Sequence, residues 1–263
     1  LFSLSTNRVG FYLRSSSFRM GIYTHMMFFN PKVPISNVYL QMSKLIGCND
    51  EHQELYPLKK SIQKPFSHSR KYLVINPNSS DLRLERRWDS NNFIQIIRKT
   101  LNEFSDYNIF LIGSKDEQEY TESISTIIND PRLISTAGKT SISEVIALID
   151  SAEIMITNDT GPMHLAFALK KEVICLFGPC SPDQYGRSNN AHVIYKNTYC
   201  SPCVHDFEIA PCNGNNICMQ LIGVEEVNEN IASLLNTSKV QKSTLIKPII
   251  YQTDQDILGI VQR

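Results

Sequence analysis

EIMITNDTGPMH, residues 153–164, joins an apolar, strand-like run to an abrupt stop at Asn158-Asp159-Thr160-Gly161, and Pro162 then opens a helix. Proline suits a first helical position, because the N–H it lacks would have had no partner there. The junction therefore turns the backbone N–H groups of Thr160, Gly161 and Met163 toward whatever lies beyond the sheet edge. The positive end of a helix points the same way, and a phosphate or diphosphate suits such a place. The plainer reading is an ordinary strand-to-helix turn in which Asp159 or Thr160 caps the helix. The junction by itself does not separate the two.

Outward from this junction, strand and helix signals alternate from Tyr72 onward. Tyr72-Leu73-Val74-Ile75 is a continuous apolar run of the kind buried on both faces in a parallel sheet. Phe93, Ile94, Ile97 and Leu101 share one face of a helix begun by Ser90 or Asn91, and Ile109-Phe110-Leu111-Ile112 is a second strand, ending at Gly113. Residues 117–128 read as helix, with Pro131 closing the unit. Ser141-Ile142-Ser143-Glu144 is a capping-box pattern ahead of Val145, Ile146 and Ile149. Ile154-Met155-Ile156 and Val173-Ile174-Cys175-Leu176-Phe177 are further strands, and Val224, Val227, Ile231 and Leu234 mark a last helix. Such alternation predicts an α/β fold with right-handed crossovers and a doubly wound parallel sheet. Ligands in these sheets bind beyond the carboxyl ends of the strands. The loops after Ile75, Ile112 and Thr157 all leave such ends, so one shared ligand site is expected.

The chain carries 26 basic and 26 acidic side chains, so no positive field marks a nucleic-acid partner. No apolar run has the length that crosses a bilayer, and no signal-peptide pattern is read. Residues 1–60, rich in Ser, Asn, Met and aromatics, hold no complete strand–helix alternation. The expected organisation is an incomplete domain over 1–60, a linker over 61–70, a ligand-binding domain over 71–236 and a tail over 237–263. The chain begins with Leu1 rather than Met, which leads us to expect a fragment.

Six stretches in order carry a resemblance: INPNSS at 75–80, RRW at 86–88, LIGSKDE at 111–117, AGKTSISE at 137–144, ITNDTGPMHLA at 156–166 and LFGPCSPDQYG at 176–186. Together they resemble the donor-binding half of glycosyltransferase family 9, which contains the lipopolysaccharide heptosyltransferases. RVGFYLR at 8–14 and YTHMMFFN at 23–30 resemble the closing part of that family's acceptor-binding half. The resemblance implies a GT-B fold, with a Rossmann-like donor domain and a remnant of the N-terminal acceptor domain. It implies an inverting, metal-independent glycosyltransferase whose donor is a nucleotide-diphosphate sugar, ADP-heptose being the best-known case. The implied acceptor is a lipid-linked, lipopolysaccharide-type saccharide, met in the cytoplasm at the inner face of the inner membrane by peripheral association. No catalytic cofactor is implied, and no Asp-x-Asp metal motif stands in the strand-end loops.

Residue by residue, the resemblance sets Asp159, Thr160 and Gly161 against the donor, with His164 as a further donor-site residue. Beside an anionic diphosphate, Asp159 would accept backbone N–H bonds or face sugar hydroxyls. Ser79 and Ser80 would donate to phosphate oxygens, although serines after a strand are otherwise turn formers. Arg86 matches the basic position two residues before the tryptophan and would neutralise the leaving diphosphate, its one catalytic role here. Arg87 could reach instead. Glu117 and Thr140 fall on the nucleoside side, and Glu117 equally suits the first turn of a helix. The family's general base is an aspartate near the start of the acceptor half. No residue among 1–60 fits it, Asp50 lying in the wrong context. The alternative expectation is thus a truncated, catalytically inactive module that binds nucleotide sugar without transferring it.

Cys200-x2-Cys203-x8-Cys212-x5-Cys218 could close a tetrahedral structural zinc site, with His205 as an alternate ligand. Reduced thiols and disulfides fit the spacing as well, the latter disfavoured in a reducing cytoplasm. Under each reading the cluster staples a loop beside the donor site.

Overall fold

A computed structural model describes residues 5–12, 21–49, 70–79, 81–207 and 209–240. Ser80, residues 61–69 of the expected linker and residues 241–263 of the expected tail lie outside this set.

The first described elements are β1 (Val9–Tyr12) and β2 (His25–Phe28), paired in parallel, and α1 (Ile35–Lys44). The sequence reading expects no complete strand–helix alternation here. The strands are four residues each and mostly half-exposed, so no sustained apolar pattern announces them.

The main sheet contains β3 (Lys71–Asn76), β4 (Tyr107–Leu111), β5 (Leu133–Ser135), β6 (Met155–Asn158), β7 (Val173–Phe177) and β8 (Ala191–Tyr195). Their order is β5-β4-β3-β6-β7-β8, and every neighbouring pair is parallel. From β3 the chain steps outward to β4 and β5, then returns to lay β6 on the other side of β3 before continuing to β7 and β8. The strand order thus reverses between β3 and β6, and a crevice opens there at the carboxyl ends. The doubly wound α/β sheet expected from the alternation is the one found, widened by β5 and β8.

Alternation along β3 divides the core between the two faces. Leu73 and Ile75 pack with Trp88, with Phe93 and Ile97 of α2 (Ser90–Glu103), and with Val227 and Ile231 of α8 (Val224–Val240). Tyr72 and Val74 pack with Leu148 of α4 (Ile142–Ser151) and with Met163 and Phe167 of α5 (Gly161–Ala168). Each fully buried side chain of this size contributes about 1.5–3 kcal/mol relative to exposure. Helix starts follow local chemistry. Asp89, rather than Ser90 or Asn91, caps α2, its carboxylate accepting from the Asn91 N–H at 2.8 Å. Ser141 and Glu144 form the expected reciprocal capping box on α4. Helix α3 (Gln118–Ile128) ends where Asn129 turns left-handed at φ 51°. Helix α8 runs on to Val240, beyond the boundary expected at 236, and the residue it fully buries in its fourth turn is Leu235, with Leu234 only partly covered.

The crevice is held in shape by the buried side chain of Asn158, the last residue of β6. Its amide nitrogen donates to the carbonyls of Pro77 and Asn78 at 3.1 and 2.9 Å, and its oxygen accepts from the Trp88 N–H at 3.1 Å. One side chain therefore locks both ends of the loop between β3 and α2 onto β6. Asn158→Ala leaves two carbonyls and one N–H buried without partners, so it should lower the unfolding free energy by about 2–4 kcal/mol, read from urea denaturation.

Candidate functional site

Three strand-end turns meet above the β3–β6 junction. Asn76, at the end of β3, donates from its side chain to Thr160 Oγ1 at 2.9 Å and to Thr157 Oγ1 at 3.3 Å. Asn78 donates to the Ile112 carbonyl at 2.9 Å and accepts from Thr121 Oγ1 at 3.2 Å, tying the β3 turn to the end of β4 and to α3. The β4 turn comes closest at Gly113, where a Cβ would stand 2.7 Å from Asn78 Nδ2. The three turns face one edge of the sheet, as the shared-site expectation requires.

A cleft of about 800 Å³ opens between them, lined by Asn76, Arg86, Glu117, Thr140, Thr160 and Gly161 among others. Ile142, Val145 and Leu165 give it an apolar wall. Thr160 caps α5 without a side-chain cap bond, because its hydroxyl is engaged inward with Asn76, Thr157 and the Asn158 carbonyl. Its contribution to the cleft is backbone. Among the described residues no protein acceptor faces the N–H of Thr160 or Gly161, and a Cβ at Gly161 would meet nothing within 4 Å. Met163 departs from expectation: its N–H donates to the Thr160 carbonyl at 3.1 Å, closing the first turn of α5.

Arg86 and Arg87 part company. Arg86 lines the cleft and approaches the buried Asp159 carboxylate, Nη1 to Oδ2 3.7 Å. Neither Arg86 Nε nor Asp159 Oδ2 has a hydrogen-bond partner among the described residues. A guanidinium so loosely satisfied retains donors for an incoming anion. Arg87 turns away, stacking 4.1 Å over the Tyr120 ring and donating to the Ser79 carbonyl at 3.3 Å. Burial pushes the Tyr120 phenol up to about 12, with Arg87 opposing that shift.

The other expected site residues divide. Glu117 borders the cleft while one carboxylate oxygen accepts the Ser114 N–H at 2.8 Å, and the Thr140 hydroxyl donates to the Thr136 carbonyl at 3.3 Å. Ser79 differs from expectation: it is fully buried and its hydroxyl donates to the Arg83 carbonyl at 3.4 Å, so it is not among the cleft-lining residues. Ser80 lies outside the described residues. Asp159 sits beneath the cleft, 4% exposed, paired with Arg86 and in contact with Cys180 rather than with backbone N–H groups. His164 is turned toward Tyr185, ring centroids 6.5 Å apart, rather than into the cleft. Protein crowded around its ring lowers its pKa, with the Asp159 carboxylate acting in the opposite sense. Asn76 and Asn158 are the functional positions that the sequence reading passed over; the signal for both was an asparagine closing an apolar strand.

The zinc expectation is not met. Among the described residues no three of His, Cys, Asp and Glu are gathered so as to hold a metal ion, and all four thiols of the cluster are free. Without a second tight Cys-x2-Cys knuckle, Cys212 accepts the Asn216 N–H at 3.3 Å and Cys218 donates to the Asn216 side-chain oxygen at 3.8 Å. An Asp-x-Asp triplet does occur, at Asp254-Gln255-Asp256, outside the described residues. No described helix is long and apolar enough to cross a membrane.

A parallel sheet with a cleft over its switch point defines an α/β nucleotide-binding class, and the fold is of GT-B type. The sequence profile of glycosyltransferase family 9 (heptosyltransferase) matches residues 38–212, and the chain belongs to that family. Lipooligosaccharide heptosyltransferase 2 of Campylobacter jejuni is 29% identical over 189 residues, 69% of this chain and 57% of that protein. The chain thus spans little more than half the length of the curated relatives it matches over most of its own. Among solved structures, E. coli ADP-heptose lps heptosyltransferase II superposes with a TM-score of 0.67 at 20% identity, covering 89% of this chain and 71% of that one. E. coli heptosyltransferase WaaC with ADP follows the same fold, TM-score 0.60 at 16% identity over 82% of this chain and 62% of that one.

The divergence of the two arginines can be measured. Arg87→Ala should lower the unfolding free energy by about 1–2 kcal/mol, through loss of the ring stack and of the bond to Ser79. Arg87→Lys should recover only part of this in the same urea titration, since an ammonium cannot lie flat on the ring.

Proposed function

We propose that this chain binds ADP-heptose along the carboxyl edge of its sheet, and that the intact protein transfers the heptose to a lipid-linked, lipopolysaccharide-type saccharide. The observation that carries this reading is the opening of the Thr160–Gly161 turn and Arg86 onto one cleft. Family membership supports it, as do the names of relatives that use ADP-heptose. The diphosphate lies against the Thr160 and Gly161 N–H groups and the start of α5, with Arg86 across from them. The nucleoside extends along the apolar wall toward Thr140 and Glu117. Asp159 holds Arg86 rather than the phosphate, since a carboxylate next to that anion would be repelled.

Transfer is a single inverting displacement. The acceptor oxygen attacks the anomeric carbon as the bond to the diphosphate breaks, and ADP departs with both electrons of that bond. A base outside the described residues takes the acceptor proton. Arg86 and the helix end offset the charge gathering on the leaving group, so this reading assigns no metal ion to the step. The reaction takes place in the cytoplasm at the inner face of the inner membrane, with the enzyme associated peripherally.

Titration calorimetry with ADP tests the donor site. Arg86→Ala should weaken ADP by about 10- to 100-fold, the range for losing charged hydrogen bonds. Gly161→Leu fills the opening in front of the turn without a clash in the fold, so its melting temperature should hold while ADP affinity falls about tenfold or more. Wild-type chain that ignores millimolar ADP, or both variants binding as it does, would refute the assignment.

A further inference from the structure

Beside the cleft, on the far side of Arg86, three rings form a ledge that nothing above has used. His164 of α5 faces Tyr185 at 6.5 Å between ring centroids, and Tyr185 faces His205 at 5.5 Å. Tyr185 closes the short helix α6 (Pro182–Tyr185), and His205 stands on the cysteine loop. That loop is fixed on two sides. Ser201 Oγ donates to the Gly178 carbonyl, and the Cys203 and Val204 N–H groups donate to the Pro179 carbonyl at 2.9 and 3.0 Å, fastening it to the turn after β7. Arg83 Nη2 donates to the Phe207 carbonyl at 3.4 Å, fastening it to the segment that carries Arg86. Cys203 and Val204 are buried beneath, whereas His164 and His205 are exposed and Tyr185 is half-exposed. The loop spends its apolar residues on the core and holds a polar ring out to solvent.

We infer that Tyr185 and His205, with His164, form the subsite for the sugar of the donor, and that His205 makes the cysteine loop part of the specificity machinery. This rests on the donor-site reading above and goes beyond it. Arg86 borders the cleft, and both Tyr185 and His205 feel its charge together with that of Asp159. A group attached to the outer phosphate and passing Arg86 arrives at the ledge. Ring faces accept the C–H side of a sugar, while a phenol and imidazoles supply hydrogen bonds to its hydroxyls. The protein around His164 and His205 favours their neutral forms, in which each ring both donates and accepts. The role also explains an exposed imidazole that the zinc reading could not place.

The test compares ADP with ADP-heptose by calorimetry on the full chain, as wild type, His205→Ala, Tyr185→Ala and Tyr185→Phe. Wild type should prefer ADP-heptose by about tenfold. His205→Ala and Tyr185→Ala should bring the two ligands near parity with ADP affinity unchanged, which also certifies the fold; Tyr185→Phe, keeping the ring face, should retain most of the preference. A preference that survives both alanines overturns the inference, as does a wild type without preference or an equal loss for both ligands. Failure of wild type to bind ADP at all would instead remove the donor reading on which the inference stands.

Discussion

The shape of the site depends on one side-chain amide. Asn158 ends a fully buried strand and must satisfy two carbonyls and an N–H that belong to the loop on the neighbouring strand. Only a group with two donors and an acceptor on one planar end can do so. An aspartate would set its oxygens against the Pro77 and Asn78 carbonyls, and a leucine would leave all three backbone groups bare in the protein interior. Asn76 and Asn78 extend the same device to Thr160 and to the end of β4. The cleft is thereby framed by short amide bonds rather than by mobile loops.

Rigidity of this kind matters because the cleft works through backbone. Thr160 turns its hydroxyl into the network and its N–H outward, the reverse of a helix cap that folds its side chain over its own amides. The positive end of α5 is left unneutralised by protein. Arg86 is treated in the same spirit: Asp159 is near enough to hold the guanidinium but at 3.7 Å does not exhaust it. A buried ion pair with unfilled donors costs stability that a tighter one would recover. The arrangement is consistent with charge organised in advance for a ligand that arrives negative.

What the sequence discloses follows from how each residue is constrained. Strands β3, β4, β6 and β7 are buried on both faces, and continuous apolar runs expose them. β5 and β8 lie at the edges of the sheet, the first only three residues long and the second partly exposed, so their sequences lack that run. The choice between Arg86 and Arg87 is invisible in the chain because it is made by Tyr120, thirty-three residues beyond Arg87 and brought beneath it by α3. Ser79 and Met163 show the same limit: each carries a suitable donor in a suitable place, and each donor is claimed by a carbonyl of its own turn.

The cysteines carry the argument one step further. Cys-x2-Cys spacing reports that two thiols can converge, yet convergence of four requires that nothing else accept or donate to them, and Asn216 does both. Burial raises the Cys203 thiol and pushes Cys218 up to about 11, which keeps both protonated at neutral pH and makes them small apolar fillers. Cys218 packs against the turn after β7, where a Cβ on Gly178 would come within 3.0 Å of its sulfur. The long excursion between β8 and α7 (Ile217–Gln220) is thus tied down by core packing at Cys203, Val204 and Cys218, with the backbone bonds to Pro179 added to it. A loop anchored from below in this way has no need of a metal to hold its outer residues still, and its exposed side chains are left available for the site at the edge of the sheet.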